Sequence, residues 1–460
     1  MHYFVEGFNF ALEKFSIIKV LATTKNMKDM KMILAFIMTI FALQANAQES
    51  TMDSVMNKNR SNRLSVGGYG EVAMSRNFYS DHVSRYSQPE EHKNDPSHGR
   101  FDIPHAVIYL GYDFGKGWTF GTEIEFEHGG AGIAYEKEDE EGGEWEQETE
   151  KGGEVELEQF WLQKSFGHWA NIRAGHIVVP VGLNNAHHEP LNFFTVYRPE
   201  GEYTILPSTW HDTGVSLWGR TAHRRYEAMV IAGLDAYMFN TENFIKNGAG
   251  SPFEFKAANQ LGFAGRIDNY SVKNLRMSLS GFYGRAFNNT YPYEVIAESS
   301  RYAGVVGRTA VGAFDFEYKG RRLIARGNAD YGYVGDAAMI SYMKRNRSAN
   351  NAPYKKSAVG KGAVAVGGEA GYDILPWFAH TDKQLFVFGR YEYYNSFIPD
   401  AGEEPAEWTV KNRIAVGLNY FPIPQIAVKA EYSHRFLKAG YNPEPSVSLG
   451  ICYMAFFNRK

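Results

Sequence analysis

The 460-residue chain has a single cysteine, Cys452. An intrachain disulfide is therefore excluded, and so is a metal cluster built on cysteines. Beyond Ala47 there is no long apolar run, so no stretch reads as a membrane-spanning helix. Charge of one sign is also lacking: 48 Lys and Arg face 52 Asp and Glu, a net of −4. That balance argues against a nucleic-acid binder. No glycine-rich phosphate loop, nucleophile elbow or recognisable Ser/His/Asp order is present. No enzyme, cofactor or metal is expected on these grounds.

What is abundant is aromatic and small. The chain has 32 Phe, 29 Tyr and 46 Gly, a mixture that favours strands joined by turns. Its beginning reads as an export address. From Met27, Lys28 and Lys31 form a positive region, Ile33 to Leu43 an apolar one, and Ala45, Asn46 and Ala47 the small residues before a cleavage point. Residues 1–47 are thus expected to be a signal-peptide region, with 1–26 an overextended start. Residues 48–62 would be a short periplasmic segment and 63–460 the folded body. Export without a spanning helix leaves the periplasm, the medium or an outer-membrane barrel.

The stretch GWTFGTEIEFEHGG, residues 117–130, decides between these. Phe120, Thr122, Ile124 and Phe126 alternate with Gly121, Glu123, Glu125 and Glu127, which is a strand with two unlike faces. The same period recurs to the C-terminus. Strands are expected near 63–74, 103–114, 117–128, 154–165, 169–178, 212–220, 224–234, 259–268, 275–286, 308–318, 321–332, 361–373, 383–394, 410–420, 425–435 and 446–457. Most run to about ten residues, the length a tilted strand needs to cross a bilayer. Short turns alternate with long connections near 75–102, 129–153, 179–211, 235–258, 287–307, 333–360 and 395–409. That layout predicts an all-β, transmembrane antiparallel barrel of about 16 strands, with short periplasmic turns and long extracellular loops. Apolar residues would face lipid, with Trp118 and His128 at the two interfaces. The inner face would carry Glu123, Glu125, Glu127, Arg266, Arg326, Arg390, Glu392, Arg413, Lys429, Glu431 and Arg435 as pore-lining residues. Opposite charges in a wide, wet lumen would be largely screened, since the Debye length is about 8 Å at physiological salt.

Three stretches carry a family resemblance: IRAGHIVVPVGLNNAHHEP from Ile172, YRPEGEYTILPSTWHDTGVSLWG from Tyr197 and LNYFPIPQIAVKAEYSHR from Leu418. They resemble the phosphate-selective porin O and P family, over most of the chain from about residue 60. The resemblance implies a sixteen-stranded porin, often trimeric, in the outer membrane of a Gram-negative type of cell. It implies inward-folded loops that narrow the pore. Phosphate-selective members carry a ladder of lumen arginines and a ring of lysines. Here Arg and Glu are mixed on the expected inner face, a departure from that pattern.

Loop 179–211 holds Asn184, Asn185, His187, His188, Glu189, Arg198, Glu200, Glu202, Trp210 and His211. It is rich in Phe and Tyr for a solvated loop. It is expected to fold into the barrel as the constriction, with Asn185, His187, His188, Glu189, Arg198, Glu200 and Trp210 at the narrowest point. Adjacent residues such as His187, His188 and Glu189 rarely chelate one ion, and no further ligand stands at helical spacing. The acid-rich run 136–158 reads as a solvated loop, with divalent-cation binding as the sharper alternative. The function expected is passive diffusion of small hydrophilic solutes or ions, with weak ion selectivity. Its alternatives are a phosphate- or anion-selective porin and a non-conducting binding or structural barrel. The partners expected are outer-membrane lipid, small hydrophilic solutes and further copies in a homotrimer.

Overall fold

The structure, a computed structural model, describes residues 63–129, 132–137, 147–151, 153–250, 255–289, 302–346 and 357–457. The expected signal region 1–47 and the segment 48–62 lie outside these residues. So does the middle of the acid-rich run 136–158.

Sixteen strands form one antiparallel sheet that closes on itself. They are β1 (Leu64–Asn77), β2 (His98–Asp102, continued by His105–Gly115), β3 (Trp118–Glu127) and β4 (Glu154–Gly167). Next come β5 (Ala170–Val178), β6 (His211–Arg220), β7 (Arg224–Ala232), β8 (Leu261–Val272), β9 (Leu275–Arg285) and β10 (Arg308–Lys319). The last six are β11 (Leu323–Val334), β12 (Gly362–Asp373), β13 (Gln384–Ile398), β14 (Val410–Ile423), β15 (Ile426–Leu437) and β16 (Glu444–Phe456). Each pairs with the next, and β16 pairs with β1 from Gly67↔Phe456 to Asn77↔Ser446. Closure leaves no edge, so the ladder satisfies every strand's backbone polar groups. The two parts of β2 both pair with β1 and are interrupted at Ile103 and Pro104. Pro104 has no N–H to give a ladder.

The expected strands are all present. The largest shifts are at β2, which begins at His98 and not near 103, at β8, which runs on to Val272, and at β13, which runs on to Ile398. Period 2 then sorts the side chains. Ile108, Leu162, Leu217, Phe263, Val416, Leu449 and Ile451 are exposed on the outer face. Phe114, Trp118, Phe166, Trp169, Trp377 and Phe378 are exposed at the rim of short turns, where an aromatic girdle meets a membrane interface. No helix among the described residues is long and apolar enough to cross a membrane. The chain is a transmembrane β-barrel.

The long connections lie at the other rim. Segment 179–210 carries the short helices α1 (Leu183–Ala186) and α2 (Glu200–Ile205). A hairpin, Gly132–Lys137 with Gln147–Lys151, lies between β3 and β4, and helix α3 (Ala337–Asn346) between β11 and β12. Segment 179–210 is not the one connection that packs inward. Phe239, Phe244 and Ile245 of the β7–β8 connection and Ile340 and Met343 of α3 join its Val179, Ile205 and Trp210 in one apolar cluster. That cluster rests on inward residues Trp161, Phe282, Val311 and Ala365. Much of the inner space is therefore packed protein.

Candidate functional site

The inner wall opposite segment 179–210 is a ladder of alternating charge. Antiparallel register sets Arg326 opposite Glu369, Glu369 opposite Arg390, and Glu392 opposite Arg413. Three ion pairs follow that register, Arg326–Glu369 at 2.8 Å, Arg390–Glu369 at 3.3 Å and Arg413–Glu392 at 3.0 Å, and Arg390–Glu392 at 3.1 Å joins them along one strand. Arg413 also pairs with Glu431. Directly opposed charges of unlike sign are a stabilising cross-strand arrangement.

The same carboxylates receive the loop. Glu431 accepts the N–H of Val196 at 2.7 Å and Glu392 that of Gly201 at 3.0 Å. Glu369 accepts the N–H of Phe194 at 3.3 Å. Lys429 donates to the carbonyls of Pro190, Phe193 and Thr195 at 2.6, 2.9 and 2.9 Å. Arg266 donates to the Gly182 carbonyl at 2.8 Å. Segment 179–210 has no sheet to pair with, and buried backbone groups must be paired. The wall's charged side chains do this work.

Glu200 opens α2 and is gripped from the wall. Arg435 donates to it at 2.7 and 2.8 Å, the Tyr394 hydroxyl at 2.8 Å, and Arg413 lies at 3.3 Å. Burial opposes its charge, but Arg413 and Arg435 hold its carboxyl well below the usual carboxylate range. Glu202, two residues and about half a helical turn further on, turns back into the loop. It accepts the backbone N–H groups of Leu183, Asn184 and Asn185 at 3.0, 2.9 and 3.2 Å. These are the orphan donors that begin a helix, so Glu202 caps α1 from a distance. Burial, with the Asp315 carboxylate nearby, pushes Glu202 up to about 7 against those three donors.

The remaining loop residues take separate partners. Asn185 donates to the Val179 carbonyl at 2.5 Å and accepts from the Trp210 N–H, tying the two ends of the segment. Trp210 is fully buried against Phe282, ring centroids 4.9 Å apart. Arg198 donates to Thr209 Oγ1 at 3.2 Å and the Tyr69 hydroxyl at 3.4 Å, with Glu125 at 3.9 Å. His187 meets Arg276. Burial and the Arg276 and Arg266 charges keep its imidazole neutral, well below its ordinary value. Glu189 accepts from Asn192 at 2.7 Å. His188 faces Glu123 and Glu158, at 3.6 and 4.0 Å. Thus His187, His188 and Glu189 point to three places and share no ligand.

One expectation is corrected. Glu123, Glu125, Arg266, Arg326, Arg390, Glu392, Arg413, Lys429 and Glu431 do lie on the inner face, but each is 4% exposed or less. They are buried under the loops in ion pairs and hydrogen bonds and are not screened by a wide, wet lumen. Glu127 and Arg435 are partly exposed and line a cavity of about 640 Å³ on the long-loop side, with Arg85, Arg100, Glu200 and Glu444. A smaller cavity of about 80 Å³ lies towards the short turns, lined by Glu123, His187, His188, Arg266 and Asp268.

Sequence reasoning passed over Glu369, Glu158, Tyr394 and Arg276. Glu369 was within reach: it alternates correctly in 361–373. Glu158 was not, because a bulge breaks the period. Glu123 pairs with Gln159 and Ile124 with Leu157, so Glu158 is the extra residue. Both Glu158 and Gln159 are consequently buried on the inner side.

No family model matches the chain. An uncharacterized protein of Aquifex aeolicus is 29% identical over 390 residues, covering 80% of this chain and 75% of its own. Among solved structures, the chain is similar to an anion-selective porin from Comamonas acidovorans, with a TM-score of 0.49, 9% identity and coverage of 85% of this chain and 99% of that one. The outer-membrane channel DcaP of Acinetobacter baumannii gives a TM-score of 0.49 and 12% identity, covering 85% and 97%. The barrel itself rests on this chain's own strand register.

Proposed function

We propose that the barrel is an outer-membrane channel for passive diffusion of small hydrophilic solutes, with segment 179–210 as its constriction. The observation that carries this reading is the loop itself: its backbone is held against the inner wall by Glu369, Glu392, Glu431 and Lys429. A loop fixed across a barrel by charged groups sets the size of what passes. On this reading the chain is exported after loss of 1–47, meets lipid with its apolar outer face and assembles as a homotrimer.

The selectivity expected is weak. Arg435 and Arg413 reach the large cavity, but both pair with Glu200, Arg413 pairs also with Glu392 and Glu431, and Arg435 with Glu444 at 2.9 Å. A charge ring selects by sign only where it is unbalanced. The motif resemblance supports phosphate or anion selectivity as the second reading.

Planar-bilayer recording tests the proposal. The purified barrel should conduct, and deleting Asn185 to Pro207 should raise conductance and relax the size limit. Reversal potential in a salt gradient should stay near zero. A strong anion preference, with phosphate blocking chloride current, would favour the second reading. Silence in both the parent and the deletion would mean a non-conducting barrel.

A further inference from the structure

Glu123 on β3, Glu158 on β4 and His188, two residues beyond α1, form a group whose free atoms converge. Their relative exposures are 0%, 1% and 6%. His188 Nε2 lies 3.6 Å from Glu123 Oε1 and 4.0 Å from Glu158 Oε2. These three atoms have no hydrogen-bond partner, although each is buried. One donor atom from each residue fits within a span of 4.8 Å. Buried polar atoms are normally paired, and one that is not calls for an explanation. Here three unpaired atoms face one another.

Charge sharpens the point. Among the described ion pairs, neither Glu123 nor Glu158 has a lysine or arginine within 4.0 Å; each meets His188 alone. Arg198 of the loop is turned to Glu125 at 3.9 Å. Two carboxylates buried side by side are costly unless a proton or a cation neutralises them.

The surrounding contacts fix the donors as ligands need to be fixed. His188 Nδ1 is 3.1 Å from the Asn185 carbonyl. That contact holds the proton on Nδ1 and leaves the Nε2 lone pair free, the usual outer-shell support of a metal-bound histidine. Gln159 donates to Glu123 Oε2, leaving Oε1 free. The β4 bulge is what turns Glu158 inward beside Gln159, and bulges often re-aim a side chain at a functional site.

We propose that Glu123, Glu158 and His188 bind one divalent transition-metal ion, clamping segment 179–210 to the barrel wall. One imidazole nitrogen and two carboxylate oxygens suit zinc, and also manganese or iron. Bonds of about 2.0–2.2 Å set tetrahedral ligand edges of roughly 3.3–3.6 Å. The His188–Glu123 separation already meets that length, and a small side-chain movement brings in Glu158. The fourth position opens on the 80 Å³ cavity that Glu123, His188 and Tyr109 line, from which water or a solute group completes the shell. The inference is independent of whether the barrel conducts.

The test uses full-length, folded barrel in detergent, stripped with EDTA and titrated with Zn²⁺ and, in parallel, Co²⁺. The parent protein should take up one ion per chain, and Co²⁺ should show the visible bands of a nitrogen–oxygen site. His188→Ala and Glu158→Gln should each weaken binding by at least about a hundredfold while keeping the folded gel mobility. His188→Cys restores a ligand and should retain Co²⁺ with a new thiolate charge-transfer band, which covers the case of an alanine variant that does not fold. His105→Ala should change nothing, since His105 Nδ1 is already bonded to Glu125 at 2.6 Å. Failure of the parent to bind stoichiometrically would overturn the proposal. So would binding that survives both His188→Ala and Glu158→Gln, the mark of an adventitious ion only, or binding lost with His105→Ala alone.

Discussion

At the scale of the residue, the inner wall works by leaving few charges single. Glu369 joins Arg326, Arg390 and the Phe194 N–H. Glu369→Ala would take one carboxylate from each of two buried guanidinium groups, leaving Arg326 with Glu317 and Arg390 with Glu392, and removing one member of a buried ion-pair network is destabilising. Thermal unfolding in detergent should therefore shift down markedly, while the same change at exposed Glu407 should have little effect. Glu202 gives a pH dependence of known sign. Burial raises its folded-state carboxyl from the ordinary 4.5 to about 7. The folded state thus holds the proton more tightly. That stabilisation is complete below about 4.5 and is lost as pH rises through about 7. Protease protection of segment 179–210 should fall between mildly acidic and mildly alkaline buffer, and Glu202→Gln should flatten the profile. Gly182 has φ 86° and stands where a Cβ would run into the Glu202 carboxylate. Gly182→Ala should loosen the same cap.

At the scale of the element, closure depends on β16. It pairs over its length with β1 and with β15. Its last turn of side chains divides: Phe457 is exposed on the outside, while Phe456 stacks on Tyr109 with centroids 6.0 Å apart. Replacing Phe456 and Phe457 by Ser should reduce the amount of barrel found in the membrane fraction. An unchanged level would place the insertion signal elsewhere in the chain. The turns were readable because Gly and Asn mark them, as at Gly115, Gly117 and Asn274, all with positive φ. The Glu158 bulge carries no such mark, and a one-residue change of parity flips every side chain beyond it.

At the scale of the molecule, a closed barrel with an apolar outside should be heat-modifiable. Unboiled and boiled protein should migrate differently on a detergent gel, and the circular dichroism spectrum should be that of strands. Equal migration with a helical spectrum would contradict the sheet. The molecule also explains why its charge looked unremarkable. Basic and acidic residues are nearly balanced in number, 48 against 52, and a net charge of −4 does not record which of them are partnered across strands of the inner wall.

The sequence by itself determined the strands, their order and their two faces. Those follow from a period of two and from turn residues, which are local properties of the chain. Arg326, Arg390, Glu392 and Arg413 were legible as inward on that basis alone. Their burial was not, because it depends on which connections fold back over them. Segment 179–210 showed its apolar content, whereas the inward packing of Phe239, Phe244 and α3 emerged only with the closed wall that gives them a surface. The convergence of His188 on Glu123 and Glu158 is of the same kind. It needs a loop, a neighbouring strand and a bulge to meet at one point, and no spacing along the chain records such a meeting.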